Sequence, residues 1–321
     1  MKPSLRIYRY PPPPSQRAPC ALTIGNFDGV HLGHQAILAR VRQEARARGL
    51  VPAVMTFEPH PREYFATLNR RPELAPTRIS GLRDKLQALA AAGIEQVVVE
   101  RFDARLAEMS ANAFIEDLLV AGLQTRWLLV GEDFRYGHKR SGDIDLLREA
   151  GLAHGFEVCT LADITDRQGH RISSSEVRTA LAVGDLDRAA QLLGQPFHIS
   201  GHVIHGQKLG RELGFPTMNL RVAPRCATRS GIYVVRVVGL RDRPLPAVAS
   251  LGVRPTVEDR GRVLLEAHLL DESLDAYGKL VRVEFLHKLR DEEKFADLPS
   301  LTAAIAQDAQ NARAYFAVHG L

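Results

Sequence analysis

The stretch GNFDGVHLGHQ (25–35) leaves an apolar run and opens an amphipathic one, and its residue types suit an anion. Gly25, Gly29 and Gly33 let backbone approach a ligand closely, with Asn26, Phe27 and Asp28 filling the turn between them. A helix that begins here offers free N–H groups and the positive end of its dipole to phosphate. His31 and His34 stand three apart, so both rings can turn toward that anion. Read alone, an H-x-x-H pair is more often structural, and zinc is disfavoured because no cysteine or third ligand lies at suitable spacing. In ISSSEVR (172–178), Ser173, Ser174 and Ser175 suit the cap of a helix whose N–H groups face phosphate, and Arg178 adds charge one turn in. Serines before a helix are also ordinary capping residues. A third pattern, PTMN, carries the Thr217 hydroxyl and the Asn219 amide oxygen, hard neutral ligands suited to Mg2+ already holding phosphate oxygens. By itself Pro-Thr-x-Asn is more often a plain turn.

These residues need elements to hold them. Up to about residue 183, short apolar runs alternate with amphipathic ones. ALTIG (21–25), VPAVMTF (51–57), QVVVE (96–100), RWLLVG (126–131) and FEVCTL (156–161) read as buried strands. HQAILARVRQEARARG (34–49), GLRDKLQALAAAG (81–93), SANAFIEDLLVAG (110–122) and DIDLLREAGLAHG (143–155) read as helices, the third capped by Ser110. A proline-rich loop is expected after residue 57. Strand and helix in turn predict a doubly wound parallel sheet whose ligand sits at the carboxyl ends of the strands. The period changes after residue 183: GDLDRAAQLLGQ (184–195) reads as a short helix. HISGHVI, GIYVVRVVG, LPAVASLG, RVLLEAHLL and LVRVEFLHKL then read as strands of a small antiparallel β-barrel, closed by an amphipathic helix over 297–316. The expected class is therefore α/β followed by β, with domains 1–183 and 184–321. Pro11–Pro14 reads as a short polyproline arm.

Bulk composition narrows the setting. At 321 residues, 45% hydrophobic and 25% charged, the chain suits two globular domains and excludes disordered and collagen-like classes. No apolar run approaches a membrane span, and the basic, proline-rich start lacks the apolar stretch of a signal peptide. Three widely spaced cysteines argue against a disulfide framework and point to the cytoplasm. The formal charge of +5 comes from arginines scattered among acids, which fits solvated helix faces better than nucleic-acid binding.

Strand, glycine turn, paired histidines and helix together resemble the HxGH signature of nucleotidylyltransferases. TFEPHP (56–61), VGEDFRYGHKRSGD (130–143) and ISSSEVR extend the likeness to the adenylylating module of bacterial bifunctional riboflavin kinase and FAD synthetases, over nearly all of 18–183. GHVIHGQKLGRELGFPTMNL (201–220) resembles the riboflavin kinase signature of the same family, trailed by SLGVRPT (250–256). The resemblance implies a Rossmann-like first domain in which His60 and Asp133 help bind flavin and nucleotide. It implies a glycine loop over phosphates at Gly206, Lys208 and Gly210. Alternation places Glu266 on the surface; the resemblance makes it the general base of the kinase, ahead of a turn at Asp275–Gly278. For LRDEEKF (289–295), the resemblance implies that Arg290 approaches the flavin. Ser175 stands where threonine is usual, Tyr136 where phenylalanine is common, and Met218 where alanine is usual.

The implied activities are phosphorylation of riboflavin to FMN by ATP with Mg2+, then adenylylation of FMN to FAD with release of pyrophosphate. The expected partners are the small molecules riboflavin, FMN and ATP, without nucleic acid or membrane; weak self-association is left open. Two alternatives stand beside this expectation: a single-activity enzyme, and a flavin sensor that binds FMN without consuming ATP.

Overall fold

Strands of the first half lie parallel in one sheet: β1 (Arg6–Tyr8), β2 (Cys20–Ile24), β3 (Val51–Glu58), β4 (Gln96–Arg101), β5 (Thr125–Gly131) and β6 (Glu157–Leu161), ordered β1-β4-β3-β2-β5-β6. The computed structural model describes residues 5–162, 164–166, 168–206, 213–223, 225–253, 263–272 and 274–320. Its contacts group the chain into two units, Met1–Pro76 with Lys85–Ile172, and Thr77–Asp84 with Ser173–Leu321. The boundary expected at 183/184 falls inside the second unit.

In the α/β unit, β2 is buried along its whole length because helices cover both sheet faces, which is why its sequence does not alternate. Chain order runs outward from β2 in both directions, to β3 and β4 on one side and to β5 and β6 on the other. That reversal opens a crevice at the carboxyl end of β2, where such folds bind ligands. The helices are α1 (Leu32–Arg48), α2 (Pro61–Leu68), α3 (Leu82–Ala91), α4 (Ala104–Glu108), α5 (Ala111–Ala113) and α6 (Ile144–His154). Ser110 caps α5 as expected, and the chain continues in π geometry over Phe114–Gly122. Leu22, Met55, Val98, Leu119 and Leu128 form the core of one sheet face.

Among the elements that depart from the sequence reading, two lie in the α/β unit and have a plain physical cause. The proline-rich segment after β3 is helical: Pro61 occupies the first turn, where no N–H is needed, and Glu63 completes a capping box with His60. The amino-terminal arm contributes β1, paired parallel with β4 from Arg6↔Gln96 to Tyr8↔Val98. Three residues are too few to show a period, so that edge strand left no pattern.

In the second unit α7 (Ser174–Val183) and α8 (Leu186–Leu193) precede a closed barrel. Its strands are β7 (His198–Ile204), β8 (Met218–Arg221), β9 (Gly231–Val238), β10 (Leu245–Val253), β11 (Val263–Leu269) and β12 (Leu280–Arg290), ordered β10-β11-β8-β7-β12-β9. All of its pairings are antiparallel. Tyr233, Val235, Leu265, Ala267 and Phe285 are buried along these strands. The closing helix α9 (Leu298–His319), capped by Asp297, lays Ala309, Ala312 and Phe316 on Val234 and Val248. An outward strand position therefore does not mean a solvated one in this barrel.

Candidate active sites

In the α/β unit, the turn after β2 is built from strained backbone. Phe27 (φ 47°), Gly29 (φ 83°) and Val30 (φ 42°) all take left-handed conformations, and Phe27 and Val30 are buried. Non-glycine residues rarely adopt this conformation unless the surroundings impose it. The turn delivers His31 as the N-cap of α1, its Nδ1 accepting the His34 N–H at 3.3 Å. With Nδ1 accepting, the proton of the neutral ring sits on Nε2, leaving a donor. The His34 ring stacks on His31 at 3.7 Å and leans on Phe27 at 4.9 Å. Gly33 is glycine for a visible reason: a Cβ there would come within 3.1 Å of both the His31 ring and the Ile172 carbonyl. Two imidazoles and the N–H groups opening a helix thus lie together, a set suited to charge on a phosphate. Asp28 is buried beneath the turn.

A cleft of roughly 500 Å³ begins at Ile24, Gly25 and Asn26 and runs past His60 and Asp133. His31 and His34 are not among its lining residues. His60 is buried as the N-cap of α2, its Nδ1 accepting the Arg62 N–H at 3.0 Å. Asp133 is exposed at the rim, with Arg171 at 3.9 Å. Sequence reasoning missed the aromatic walls of this cleft, Phe57, Phe65, Phe102 and Phe134. Two of these lie within motifs already singled out, so that signal was present.

In the second unit, Ser173 caps α7 by accepting the Glu176 N–H at 3.3 Å, with Ser174 and Ser175 in the first turn. Arg178 Nε donates to the Thr77 carbonyl at 2.8 Å.

The barrel gathers Thr217, Asn219, Glu266 and Arg290 around one cavity of roughly 270 Å³. Register explains the meeting: Glu266 on β11 stands opposite Asn219 on β8 and Ser250 on β10. Alternation does send Glu266 outward with His268, but α9 and the segment after β12 roof that face, so Glu266 is half-buried and lines the cavity. Asn219 Oδ1 is buried without a hydrogen-bond partner among the described residues, which leaves an oxygen available to a cation. Gly206 lies against that amide, and a Cβ there would fall 2.5–2.7 Å from its atoms. Lys208 and Gly210, the rest of the expected phosphate loop, lie outside the described residues.

Arg290 does more than line the wall. It grips Asp308 of α9 through two hydrogen bonds of 2.9 and 2.7 Å, tying the end of β12 to the roof. Ser250, His268 and Glu292 are lining residues that sequence reasoning did not single out. Burial pushes the Glu292 carboxyl up, opposed by a Ser250 hydrogen bond and the Arg290 charge and reinforced by the charge of Glu266. Among the described residues no cluster of three or more His, Cys, Asp or Glu could hold a metal ion.

The family model for FAD synthetase matches residues 14–176, and the model for riboflavin kinase matches 193–316. With the parallel sheet and the closed barrel, these define a two-part flavin nucleotide synthase. The bifunctional riboflavin kinase/FMN adenylyltransferase of Escherichia coli K12 is 48% identical over 92% of this chain and 93% of its own. The protein of the same name from Pseudomonas fluorescens is 46% identical over 92% of each. The chain belongs to the bifunctional riboflavin kinase/FMN adenylyltransferase family. A crystal structure of a macrolide-efflux protein from Streptococcus pneumoniae is 26% identical with a TM-score of 0.75, over 96% of this chain and 98% of that one, a likeness of fold. No helix among the described residues is long and apolar enough to cross a membrane.

Proposed function

We propose that the barrel unit phosphorylates riboflavin to FMN and the α/β unit adenylylates FMN to FAD, both from ATP. The observation that carries this reading is the convergence of Thr217, Asn219 and Glu266 on one cavity of the barrel unit, while the histidine turn belongs to the α/β unit. In the kinase step the nucleophile is a ribityl hydroxyl, neutral and weakly acidic. Glu266 takes its proton as the oxygen attacks the γ-phosphorus of ATP, and ADP leaves. Thr217 and Asn219 would hold Mg2+, which supplies charge neutralisation and alignment of the ATP phosphates when bound. The fit rests on Asn219 Oδ1, buried and without a hydrogen-bond partner among the described residues. In the adenylylation step the nucleophile is the FMN phosphate, already anionic, so no base is needed. An FMN phosphate oxygen attacks the α-phosphorus of ATP and pyrophosphate leaves. His31, His34 and the first N–H groups of α1 stabilise the charge that builds there.

The cleft walled by Phe57, Phe65, Phe102 and Phe134 is the seat of the flavin ring in this step. The functional boundary is placed at 183/184. The three free thiols support work in a reducing cytoplasm. Purified protein given riboflavin, ATP and Mg2+ is expected to form FMN and then FAD, followed by chromatography. Neither product forms once the metal is chelated. Binding of FMN without consumption of ATP would instead make the chain a sensor.

Gly206 offers a finer test. Gly206→Ala drives a methyl group into the Asn219 amide. It is expected to slow FMN formation on the order of 10²-fold by misplacing a ligand. FAD formation from supplied FMN is read in parallel and continues. Titrating Mg2+ checks the cause, since a displaced ligand raises the concentration needed.

A further inference from the structure

Two residues that line one cleft of the α/β unit each carry a buried polar atom with no hydrogen-bond partner among the described residues. Tyr136 is 5% exposed, its ring packed on Phe114 at 5.2 Å and on Phe134 at 5.7 Å. Its backbone exchanges hydrogen bonds with Gly142 at 3.2 and 2.9 Å, and a Cβ on Gly142 would fall 2.5–2.8 Å from the ring. The ring is therefore held from several sides. Yet Tyr136 Oη has no hydrogen-bond partner among the described residues, and neither has Asn26 Oδ1, which lines the same cleft. A buried hydroxyl left unpaired is unfavourable, and phenylalanine would fill the same space without that penalty. The arrangement makes sense when a ligand supplies the partner.

Burial, with the Asp143 carboxylate adding to it, pushes the Tyr136 phenol up, so the group stays protonated and can donate. Asn26 Oδ1 can only accept. Their complement is a planar ring that presents an acceptor beside an N–H donor. The pyrimidine end of a flavin and the base of ATP both have such an edge. The cleft favours the flavin, because five phenylalanines line it and Phe65, 42% exposed, extends the apolar wall to its mouth. That much aromatic surface suits three fused rings better than two.

We propose that Tyr136 is a specificity-determining residue of the adenylylation site. Its hydroxyl donates to the heteroatom edge of the FMN ring while Asn26 Oδ1 accepts the N–H of that edge. The proposal rests on the reading of this cleft as the flavin seat.

Tyr136→Phe in the full-length enzyme tests it, with FMN formation from riboflavin as the internal control. The KM for FMN in FAD formation is expected to rise roughly three- to tenfold, the loss of one neutral hydrogen bond. The rise is confined to the FMN KM, with kcat and the ATP KM near their wild-type values. The melting temperature of the ligand-free protein holds or rises, since an unpaired buried group has gone. A fall in melting temperature with an unchanged FMN KM makes the hydroxyl structural and overturns the proposal. A rise in the ATP KM alone puts the contact on the base and overturns it as well. Wild-type enzyme that makes no FAD from FMN would instead sink the reading of the cleft, and the proposal with it.

Discussion

His34→Ala is expected to lower FAD formation from supplied FMN on the order of 10²–10³-fold, the usual effect of removing one stabiliser of transition-state charge. FMN formation from riboflavin is expected to continue at the wild-type rate. The choice of histidine matters. His31 caps α1 through Nδ1, so replacing it also removes a helix cap worth about 1 kcal/mol and mixes stability with chemistry. His34 sits one turn into the helix, its ring held by stacking on His31 and by Phe27. Its removal takes away an imidazole and leaves the cap in place. The measurement is a flavin time course run twice, once from riboflavin and once from FMN. Equal loss of both activities would overturn the assignment of two separate sites.

Legibility followed physical scale. Strands buried on both faces announced themselves as unbroken apolar runs, and the change of period near residue 183 marked the passage to the barrel. The histidine turn and Pro-Thr-Met-Asn were read as sites through the family resemblance, since each pattern alone is more often structural. What failed to show depended on tertiary context. The prolines after β3 looked like a loop because Pro61 at the first turn of α2 is legible only once the cap at His60 is known. Glu266 looked solvated because alternation says which way a side chain points and nothing of what lies above it. The roof over that face comes from α9 and residues after β12, distant in sequence. Arg290 was read for its charge toward a ligand, while its bidentate grip on Asp308 required knowing where α9 lands. His268 could have been found, since it shares the face of Glu266 two residues on. Glu292 and Ser250 lie within motifs already quoted, but their meeting across the cavity is not a sequence pattern.

The same geometry makes Glu266→Gln the sharpest test of the kinase. FMN formation is expected to fall about 10²–10⁴-fold, the range that a positioned general base supplies. Glutamine keeps the size and a hydrogen-bonding end, so the KM values for riboflavin and ATP should move little and the loss should lie in kcat. FAD formation from supplied FMN reports that the rest of the enzyme is intact. The cavity wall holds other carboxylates, and each is a rival base. Asp308 is engaged by Arg290 through both oxygens, and Glu293 lies 3.9 Å from the same guanidinium. Glu292 is hydrogen-bonded to Ser250 and burial pushes its carboxyl up, which keeps it the strongest rival to Glu266. Glu266 alone among them stands on a strand directly opposite Asn219, beside the ligand that would align the phosphates. If Glu292 were the base, Glu266→Gln would leave most of the rate and Glu292→Gln would remove it. Running both variants side by side therefore decides which carboxylate takes the proton.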